Sequence, residues 1–120
     1  MLIVEDETFA RTLLKDNLEF EGFEVECAAN GSLALELAKK VQLDIAVIDV
    51  GLPDMTGWEV CKGLQRDVRT AETTLVILSG KMRSEVLEGM KKLGLKHFVP
   101  KPYDPIALGR MLKGLLPVKG

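Results

Sequence analysis

Short apolar runs and longer segments of helical periodicity alternate along the whole chain. The short runs are rich in β-branched residues and predict strands at residues 2–4, 25–28, 45–48, 75–78 and 98–99. Between them, apolar side chains recur every three or four positions, as on one face of a helix. The recurring positions are Phe9, Leu13 and Leu18; Leu33, Leu37 and Val41; Val60, Leu64 and Val68; Val86, Met90 and Leu93; and Leu108, Met111, Leu112 and Leu115. This pattern predicts five successive strand–helix units.

Capping residues support the predicted helix boundaries. Thr56 stands three residues before a glutamate, which is the spacing of a capping box, and Asp104 precedes Pro105 as an N-cap precedes the first helical residue. Gly22 and Gly94 follow the first and fourth helical segments, where glycine commonly ends a helix. Several strands are apolar at every position, as expected of a parallel sheet with helices on both faces. The predicted fold class is therefore α/β, a doubly wound (βα)5 sandwich with a five-stranded parallel sheet.

Composition narrows the possible functions. The 120 residues are 47% hydrophobic and 28% charged, which is ordinary for one globular domain. The net charge of −2 gives no basic footprint, so we expect no direct contact with nucleic acid. No apolar run approaches the roughly 18 residues of a membrane span, and the opening residues do not form a signal peptide. Cys27 and Cys61 lack metal-ligand spacing and are interpreted as reduced core residues of a cytoplasmic protein.

Polar side chains follow four of the five predicted strands. Glu5 and Asp6 follow the first strand, Asp49 the third, Ser79 the fourth and Lys101 the fifth. No such residue follows the second strand, which suggests that this strand lies at an edge of the sheet. Ligands of an open parallel sheet bind beyond the carboxyl ends of the strands, so we expect these side chains to meet at one edge.

This set of side chains predicts phosphoryl chemistry with a metal ion. Carboxylates that share a pocket repel one another unless a cation neutralises them, and a few carboxylates at an open edge favour Mg²⁺, or Mn²⁺ in its place. Lys101 offers a positive charge to a phosphate oxygen, and Ser79 offers a hydroxyl donor. Asp49 is then placed to act as the nucleophile of an in-line phosphoryl transfer.

Four segments of the chain resemble the receiver domain of response regulators in two-component signalling, the CheY-like family. They are "LIVEDE" near the start, "AVIDVGLPDMTGWEV" around Asp49, "VILSG" around Ser79 and "HFVPKP" around Lys101. The resemblance spans essentially the whole chain and implies a flavodoxin-like strand order, 2-1-3-4-5. It also implies that Asp49 accepts a phosphoryl group from a histidine kinase or a histidine phosphotransfer protein.

The resemblance further implies a metal site. Glu5, Asp6 and Asp49 would hold the cation, directly or through water, together with the backbone carbonyl of Gly51. The family more often has Asp at the position of Glu5, and the extra methylene group favours contact through water. Gly51 offers no side chain to direct the water that removes the phosphoryl group, so the lifetime of the phosphorylated state is left open.

A phosphorylation switch is implied as well. Ser79 would bind one phosphoryl oxygen and Lys101 another, while Phe98 turns inward as Ser79 moves. Phe98 lacks the hydroxyl group of a tyrosine, so its packing would report its position. The bond between Lys101 and Pro102 would be cis, which is feasible because the residue after it is a proline.

The expected readout surface comprises the fourth helix, the fifth strand and the fifth helix, including Phe98 and the residues near Lys96 and Arg110. It would dock an output domain, a target protein or a second receiver. Residues 1–120 are expected to form a single receiver domain. Any output domain is absent or outside this chain, since the sequence begins flush with the first strand and ends soon after the last helix.

Two alternatives stay open at this point. The first is a phosphohydrolase with an aspartate nucleophile on a similar sheet, but that reaction usually has a second acid two residues after the nucleophile, where this chain has Gly51. The second is a degenerate receiver that binds partners without phosphorylation, which would be favoured only by a broken metal site. The receiver interpretation makes the chain a phosphoacceptor rather than a turnover enzyme.

A few conspicuous residues receive structural interpretations. Glu7 and Asp54 fit surface or helix-start positions, and Trp58 fits packing or contact with a partner. His97 is the only histidine and belongs to the fifth predicted strand, so we do not expect it to carry a phosphoryl group.

Overall fold

The computed structural model of the chain describes residues 1–116, in which five strands alternate with five helices. The strands are β1 Leu2–Val4, β2 Glu26–Ala28, β3 Ile45–Asp49, β4 Thr74–Ser79 and β5 His97–Pro100. The helices are α1 Thr8–Phe20, α2 Gly31–Ala38, α3 Gly57–Arg66, α4 Arg83–Leu93 and α5 Pro105–Gly114. The predicted fold class is confirmed. No helix among these residues is long and apolar enough to cross a membrane.

All five strands run parallel in one sheet, in the order β2-β1-β3-β4-β5. This is the order that the resemblance implied, and β2 lies at an edge as predicted. β1, β3 and residues 75–79 of β4 are buried at every position, because helices cover both faces of the central strands. The carboxyl ends of the strands lie together at one edge of the sheet, called the carboxyl edge below.

Two apolar layers hold the helices to the sheet. Ala46 and Ile48 of β3 join the layer that contains α2, α3 and α4, whereas Ile45 and Val47 join the layer that contains α1 and α5. One short run can supply both layers because successive side chains of a strand point to opposite faces. A register slip of one residue would exchange the two faces, so burial of these side chains fixes the register.

Side chains cap four of the five described helices at their N-termini. Glu7, Asn30, Thr56 and Asp104 accept hydrogen bonds from backbone N–H groups in the first turns of α1, α2, α3 and α5. The predicted caps at Thr56 and Asp104 are thereby confirmed, and Glu7 also has the helix-start role expected of it. α4 follows Met82, whose side chain makes no capping hydrogen bond. The N-terminus of α4 is therefore satisfied less completely by side chains than the other four.

α3 contacts α4 at two places. The Nε2 atom of Gln65 donates a hydrogen bond of 2.8 Å to the carbonyl of Leu93 at the end of α4. The ring of Trp58 lies against Gly89, where an added Cβ would come within 2.6 Å of the ring. The structure thus gives Trp58 a packing role, which was one of the two interpretations of this residue.

Two helices are shorter than predicted, and both Val41 and Val68 lie beyond them. After α3 the backbone becomes extended at Asp67, whose carboxylate accepts hydrogen bonds from the backbone N–H and the guanidinium group of Arg69. This local contact ends α3 before Val68, which is left 89% exposed. Val41 packs against the core from the loop that follows α2.

Not every apolar position that indicated α1 and α2 lies on a buried face. Phe9 is 73% exposed, and Leu13 and Leu33 are exposed as well. α1 buries Leu14 and Leu18 instead, which are four residues apart on one face. Two adjacent leucines made the phase of the pattern ambiguous, and contact with the sheet selects the second of them.

Glycine ends two helices, as predicted. Gly94 is the C-cap of α4 with φ of 68°, and Gly22 follows the C-cap of α1 with φ of 99°. Residues with a Cβ rarely adopt these left-handed angles, so both positions favour glycine for a physical reason.

The two cysteines are free thiols. Cys61 is buried, and burial raises the pKa of its thiol to about 12. Cys27 is half-buried, and burial raises its thiol pKa as well. Both groups are therefore held in the unreactive neutral form near pH 7.

Candidate functional site

Three carboxylates meet at the carboxyl edge. Asp49 is the last residue of β3, and Glu5 directly follows β1, which is the neighbouring strand. The pairing of Val4 with Ile48 brings Glu5 level with Asp49. With Asp6 next in the chain, each of the three acids offers one oxygen within 4.8 Å of the others. The structure thus brings together the acids that the sequence singled out.

Burial makes this cluster electrostatically unusual. Glu5 is 2% exposed and Asp49 is 6% exposed, whereas Asp6 faces solvent. Burial, reinforced by the neighbouring Asp49 carboxylate, raises the pKa of Glu5 to about 7. The Oε2 atom of Glu5 is buried and accepts no hydrogen bond within the described residues. A buried acceptor without a partner indicates that the cluster can take a positively charged ligand.

Lys101 forms ion pairs with two of the three carboxylates. It follows β5, and its Nζ atom donates to Oδ2 of Asp49 and, at 3.3 Å, to Oε1 of Glu5. Burial disfavours the charged ammonium, but the two carboxylates outweigh this effect and raise the pKa of Lys101. Its backbone N–H donates to the carbonyl of Ser79 at 2.9 Å, which joins β4 to the loop. The Lys101–Pro102 bond is cis, as the resemblance implied.

The donor set of the cluster fits a hard divalent cation. All available ligand atoms are oxygens, and the open side at Asp6 leaves room for water molecules. Ions that prefer sulfur or imidazole ligands would find none here, because the cluster contains neither cysteine nor histidine. The acidic cluster could therefore hold a metal ion.

Ser79 lies at the carboxyl edge without a hydrogen bond to the carboxylates of the cluster, and Phe98 lies further back, on the neighbouring strand β5. Ser79 ends β4 and is 2% exposed, and its Oγ atom accepts a hydrogen bond of 3.0 Å from the backbone N–H of Lys81. Phe98 pairs with Ile77 across β4 and β5 and is half-buried against the layer that contains α4. Both residues occupy the positions predicted for them; their switching roles stay predictions.

The loop between β3 and α3 returns very close to Asp49. The backbone N–H of Gly51 donates to Oδ1 of Asp49 at 2.9 Å, and the N–H of Gly57 donates to the carbonyl of Val50 at 2.9 Å. A Cβ on Gly57 would lie 2.3 Å from the carbonyl oxygen of Asp49. Only glycine fits at position 57, so the loop is held against the strand end that carries Asp49.

Sequence reasoning missed the contacts of two side chains near the site. Arg11 donates hydrogen bonds from Nη1 to the carbonyls of Glu5 and Asp6. No local sequence pattern indicated these contacts. Asp54 has one of the surface or helix-start roles expected of it, but the helix that it caps was not foreseen. It caps α2, accepting from the backbone N–H groups of Gly31 and Ser32 and from the Ser32 hydroxyl at 2.8–2.9 Å. The hydrogen bond from Gly31, followed by those from Ser32, lowers the pKa of Asp54 to about 2.

A largely apolar groove adjoins the acidic cluster. It has a volume of about 590 Å³ and lies between α1 and the loop that precedes α5. Phe9, Leu13, Tyr103 and Pro105 line it, together with Lys101 and the acids that follow β1. Burial raises the pKa of Tyr103, so its hydroxyl stays protonated near neutral pH. The groove offers apolar contacts to a molecule that approaches Asp49.

Comparison with known proteins agrees with this geometry. The profile of the response regulator receiver domain family matches residues 1–113. Sporulation initiation phosphotransferase F of Bacillus subtilis is 32% identical over 120 residues, which are 99% of this chain and 94% of that protein. Chemotaxis protein CheY of Thermotoga maritima is 34% identical over 106 residues, 88% of this chain and 87% of that protein. The solved structure of Vibrio cholerae CheY4 superposes with a TM-score of 0.90, at 31% identity and 96% coverage of both chains.

A parallel five-stranded sheet with an acidic pair, an aspartate and a lysine at its carboxyl edge defines a class of phospho-accepting signalling domains. The chain belongs to the response regulator receiver domain family of two-component systems. It spans 48% to 56% of the length of the first curated relatives, which are named as transcriptional regulators.

Proposed function

We propose that Asp49 is the residue of this receiver domain that becomes phosphorylated. One observation carries the proposal: Asp49 contacts the Lys101 ammonium group and forms a cluster with two further carboxylates at the carboxyl edge. Within residues 1–116 this is the one cluster of three or more acids, cysteines or histidines with the spacing of a metal site. A nucleophilic carboxylate needs such surroundings, because the negative charges of carboxylate and phosphate must be neutralised as they meet.

The transfer itself is an in-line displacement. An oxygen of Asp49 attacks the phosphorus of a phosphohistidine on the partner, and the new O–P bond forms as the P–N bond breaks. The electron pair of the broken bond stays on the imidazole nitrogen, so atoms and charge balance. Lys101, which contacts Asp49 before transfer, then pairs with a phosphoryl oxygen.

Glu5, Asp6, Asp49 and the backbone carbonyl of Gly51 would hold a divalent cation, Mg²⁺ or Mn²⁺. When bound, the cation neutralises part of the negative charge that the carboxylates and the phosphoryl group bring together. The buried Oε2 atom of Glu5, which lacks a hydrogen-bond partner in the described chain, supports this assignment. Asp6 faces solvent and leaves the open side on which Mg²⁺ keeps water ligands.

Phosphorylation would then change the packing around Ser79 and Phe98. The Ser79 hydroxyl, which accepts from Lys81 in this structure, would turn to donate to a phosphoryl oxygen. Phe98 is half-buried beside β4 and has an apolar layer to turn into. The surface of α4, β5 and α5, which includes the exposed residues Lys96 and Arg110, would dock an output domain, a target protein or a second receiver.

The phosphate donor would be a histidine kinase or a histidine phosphotransfer protein. The apolar groove beside the acidic cluster supports a protein donor, because a small phosphate ester needs no apolar contacts of this extent. We further propose that residues 1–120 form a single receiver domain, that it works in the cytoplasm, and that it is a phosphoacceptor rather than a turnover enzyme. The match of the family profile to residues 1–113 supports the single domain.

Intact mass spectrometry tests the phosphoacceptor directly. The chain is incubated with Mg²⁺ and acetyl phosphate, and we expect one phosphoryl adduct that disappears when EDTA is added beforehand. Asp49→Asn should abolish the adduct. Asp54→Asn is the matched control, because it changes an aspartate of the same loop that contacts α2 instead of the acidic cluster.

Three outcomes would contradict the proposal in different ways. An adduct that survives Asp49→Asn places the acceptor elsewhere. A chain that gains no adduct and binds no beryllofluoride is a module that acts through partner binding alone. Steady release of phosphate from many phosphate esters, with Asp49 intact, is the behaviour of a phosphohydrolase.

A further inference from the structure

The guanidinium group of Arg11 binds backbone carbonyls rather than a carboxylate. Arg11 lies on α1, half-buried, within reach of the segment 5–7 that carries the acidic pair and is called the acidic loop below. Its guanidinium group contacts no carboxylate of this loop. Nη1 donates instead to two backbone carbonyls, that of Glu5 at 2.9 Å and that of Asp6 at 3.2 Å. The two N–H bonds of one nitrogen thus join two consecutive peptide groups.

The rest of the acidic loop is held at its two ends. The backbone N–H of Glu5 donates to the carbonyl of Ala28, which extends the pairing of β1 with β2. Glu7 accepts hydrogen bonds from the first turn of α1, at 3.2 Å from Phe9 and 2.9 Å from Ala10. One of these contacts lies on each side of Asp6, and neither involves the carbonyl of Asp6, which accepts its hydrogen bond from Arg11.

Asp6 depends on its backbone for its position. Its side chain faces solvent and accepts no hydrogen bond within the described residues, yet one of its oxygens must stay within 4.8 Å of Glu5 and Asp49. Mutual repulsion drives the three carboxylates apart. A contact that fixes the main chain on both sides of the Cα atom of Asp6 opposes that movement.

We propose that Arg11 is a positioning residue for the proposed cation site: its guanidinium fixes the carbonyls of Glu5 and Asp6 and thereby keeps the Asp6 carboxylate beside Asp49. The inference rests on the proposed function, since it concerns the same cation site. Guanidinium suits this task because it is planar and keeps its charge at every relevant pH. Groups behind a metal ligand set the ligand's position and hence the affinity of the site.

A purely electrostatic role for Arg11 predicts the opposite result. A fixed positive charge near a divalent cation repels it, so removal of the charge would tighten metal binding. Removal of a positioning contact loosens metal binding instead. The sign of the change in affinity therefore separates the two roles.

The experiment measures binding of Mn²⁺ alone, without any phosphate donor, from the electron paramagnetic resonance signal of the free ion. Arg11→Met removes the guanidinium and keeps most of the apolar stem. We expect its dissociation constant for Mn²⁺ to rise roughly 3- to 10-fold, as for the loss of one or two hydrogen bonds. Arg11→Lys keeps the charge and can reach at most part of the contact, so its affinity should fall between those of Arg11→Met and wild type. Competition with Mg²⁺ repeats the comparison for that ion.

Lys15 is the matched control. It lies one turn further along α1, is also half-buried, and makes no hydrogen bond or ion pair within the described residues. Lys15→Met removes the same charge, and we expect unchanged or tighter Mn²⁺ binding. Urea unfolding of the metal-free variants checks that the fold persists; should Arg11→Met not fold, Arg11→Gln, which keeps a neutral donor, takes its place in the same comparison.

The possible results separate this inference from the proposed function. If wild type shows no saturable Mn²⁺ binding, or if Asp49→Asn does not remove that binding, both the positioning role and the proposed function are overturned. Saturable binding in wild type with an Arg11→Met affinity equal to or tighter than that of wild type overturns the positioning role and leaves the cation site standing. Weaker binding by Arg11→Met together with equal weakening by Lys15→Met would also overturn it, because the effect would then not depend on the carbonyl contacts.

Discussion

The loops of the carboxyl edge and helix α4 are held in place by different means. Side-chain contacts fix both loops of the carboxyl edge. Glu7 and Arg11 hold the acidic loop, and Asp54 joins the loop between β3 and α3 to α2. Gly57 brings the second loop within van der Waals contact of the end of β3. α4 has no capping side chain at its N-terminus and leads into the edge strand β5.

Under the proposed function, this difference would separate the chemistry of the domain from its response. Transfer of a phosphoryl group requires its ligands to stay fixed, because small displacements of reacting groups reduce rates strongly. A readout surface must instead have a second arrangement at low free-energy cost. The braced loops suit the first requirement. α4, joined to α3 by the packing of Trp58 and one hydrogen bond from Gln65, suits the second.

The largest effect is expected at the point where the carboxyl edge is tightest. Gly57→Ala places a Cβ against the backbone of Asp49, which must shift, and we expect a loss of about 2–3 kcal/mol in the free energy of unfolding. Urea unfolding measures it. Gly114→Ala is the control, because nothing lies within 4 Å of a Cβ there and the change should be neutral or stabilising. A Gly57→Ala chain as stable as wild type would show that this loop is not rigidly held.

The stability contributed by the hydrogen bonds between Asp54 and α2 should depend on pH. Hydrogen bonds from α2 lower the pKa of Asp54 from 3.8 to about 2, so their contribution is complete above pH 4 and is lost as pH falls toward 2. We expect Asp54→Ala to lower the melting temperature by about 2–5 °C at pH 7. The difference from wild type should shrink when melting is followed by circular dichroism between pH 4 and pH 2. Asp16→Ala, which removes an exposed acid without such contacts, should show no comparable trend.

Supplying the missing cap should make α4 resemble the other helices. Met82→Ser gives the N-cap a hydroxyl acceptor for the N–H groups of the first turn, and we expect a gain of about 0.5–1 kcal/mol in the free energy of unfolding. Met82→Ala removes the same exposed side chain without adding an acceptor. Equal stability of the two variants, measured by urea unfolding, would mean that the N-terminus of α4 is already satisfied.

The smallest change in stability is expected at the contact between α3 and α4. Gly89→Ala pushes on the Trp58 ring, but alanine also favours the helix by about 1 kcal/mol, so the net change should stay below that value. Trp58 is the only tryptophan, and its fluorescence should shift to longer wavelength as the ring moves toward solvent. A loss of stability as large as that of Gly57→Ala, or an unchanged spectrum, would contradict the description of α4 as the more adaptable region.

Residues at strand ends were predictable because a parallel sheet aligns them. Once β1, β3, β4 and β5 are recognised as parallel neighbours, Glu5, Asp49, Ser79 and Lys101 must share one edge. The contacts of Arg11 and Asp54 were not predictable in this way. Asp54 lies 23 residues from the helix that it caps, so its partner depends on the path of a loop in three dimensions. The phase of α1 failed for a similar reason, since two apolar neighbours could each have faced the sheet.

The parallel sheet also leaves its opposite edge free of every residue assigned to the phosphoryl site. Val68 lies there, in the connection that leads into β4, and it is 89% exposed. The two native thiols are buried or half-buried and have raised pKa values, so a cysteine in place of Val68 would react first with a maleimide dye. A fluorophore at that position would report rotation and assembly of the domain in solution without touching the residues proposed to bind the metal. Position 68 is therefore suited to site-specific labelling of the domain.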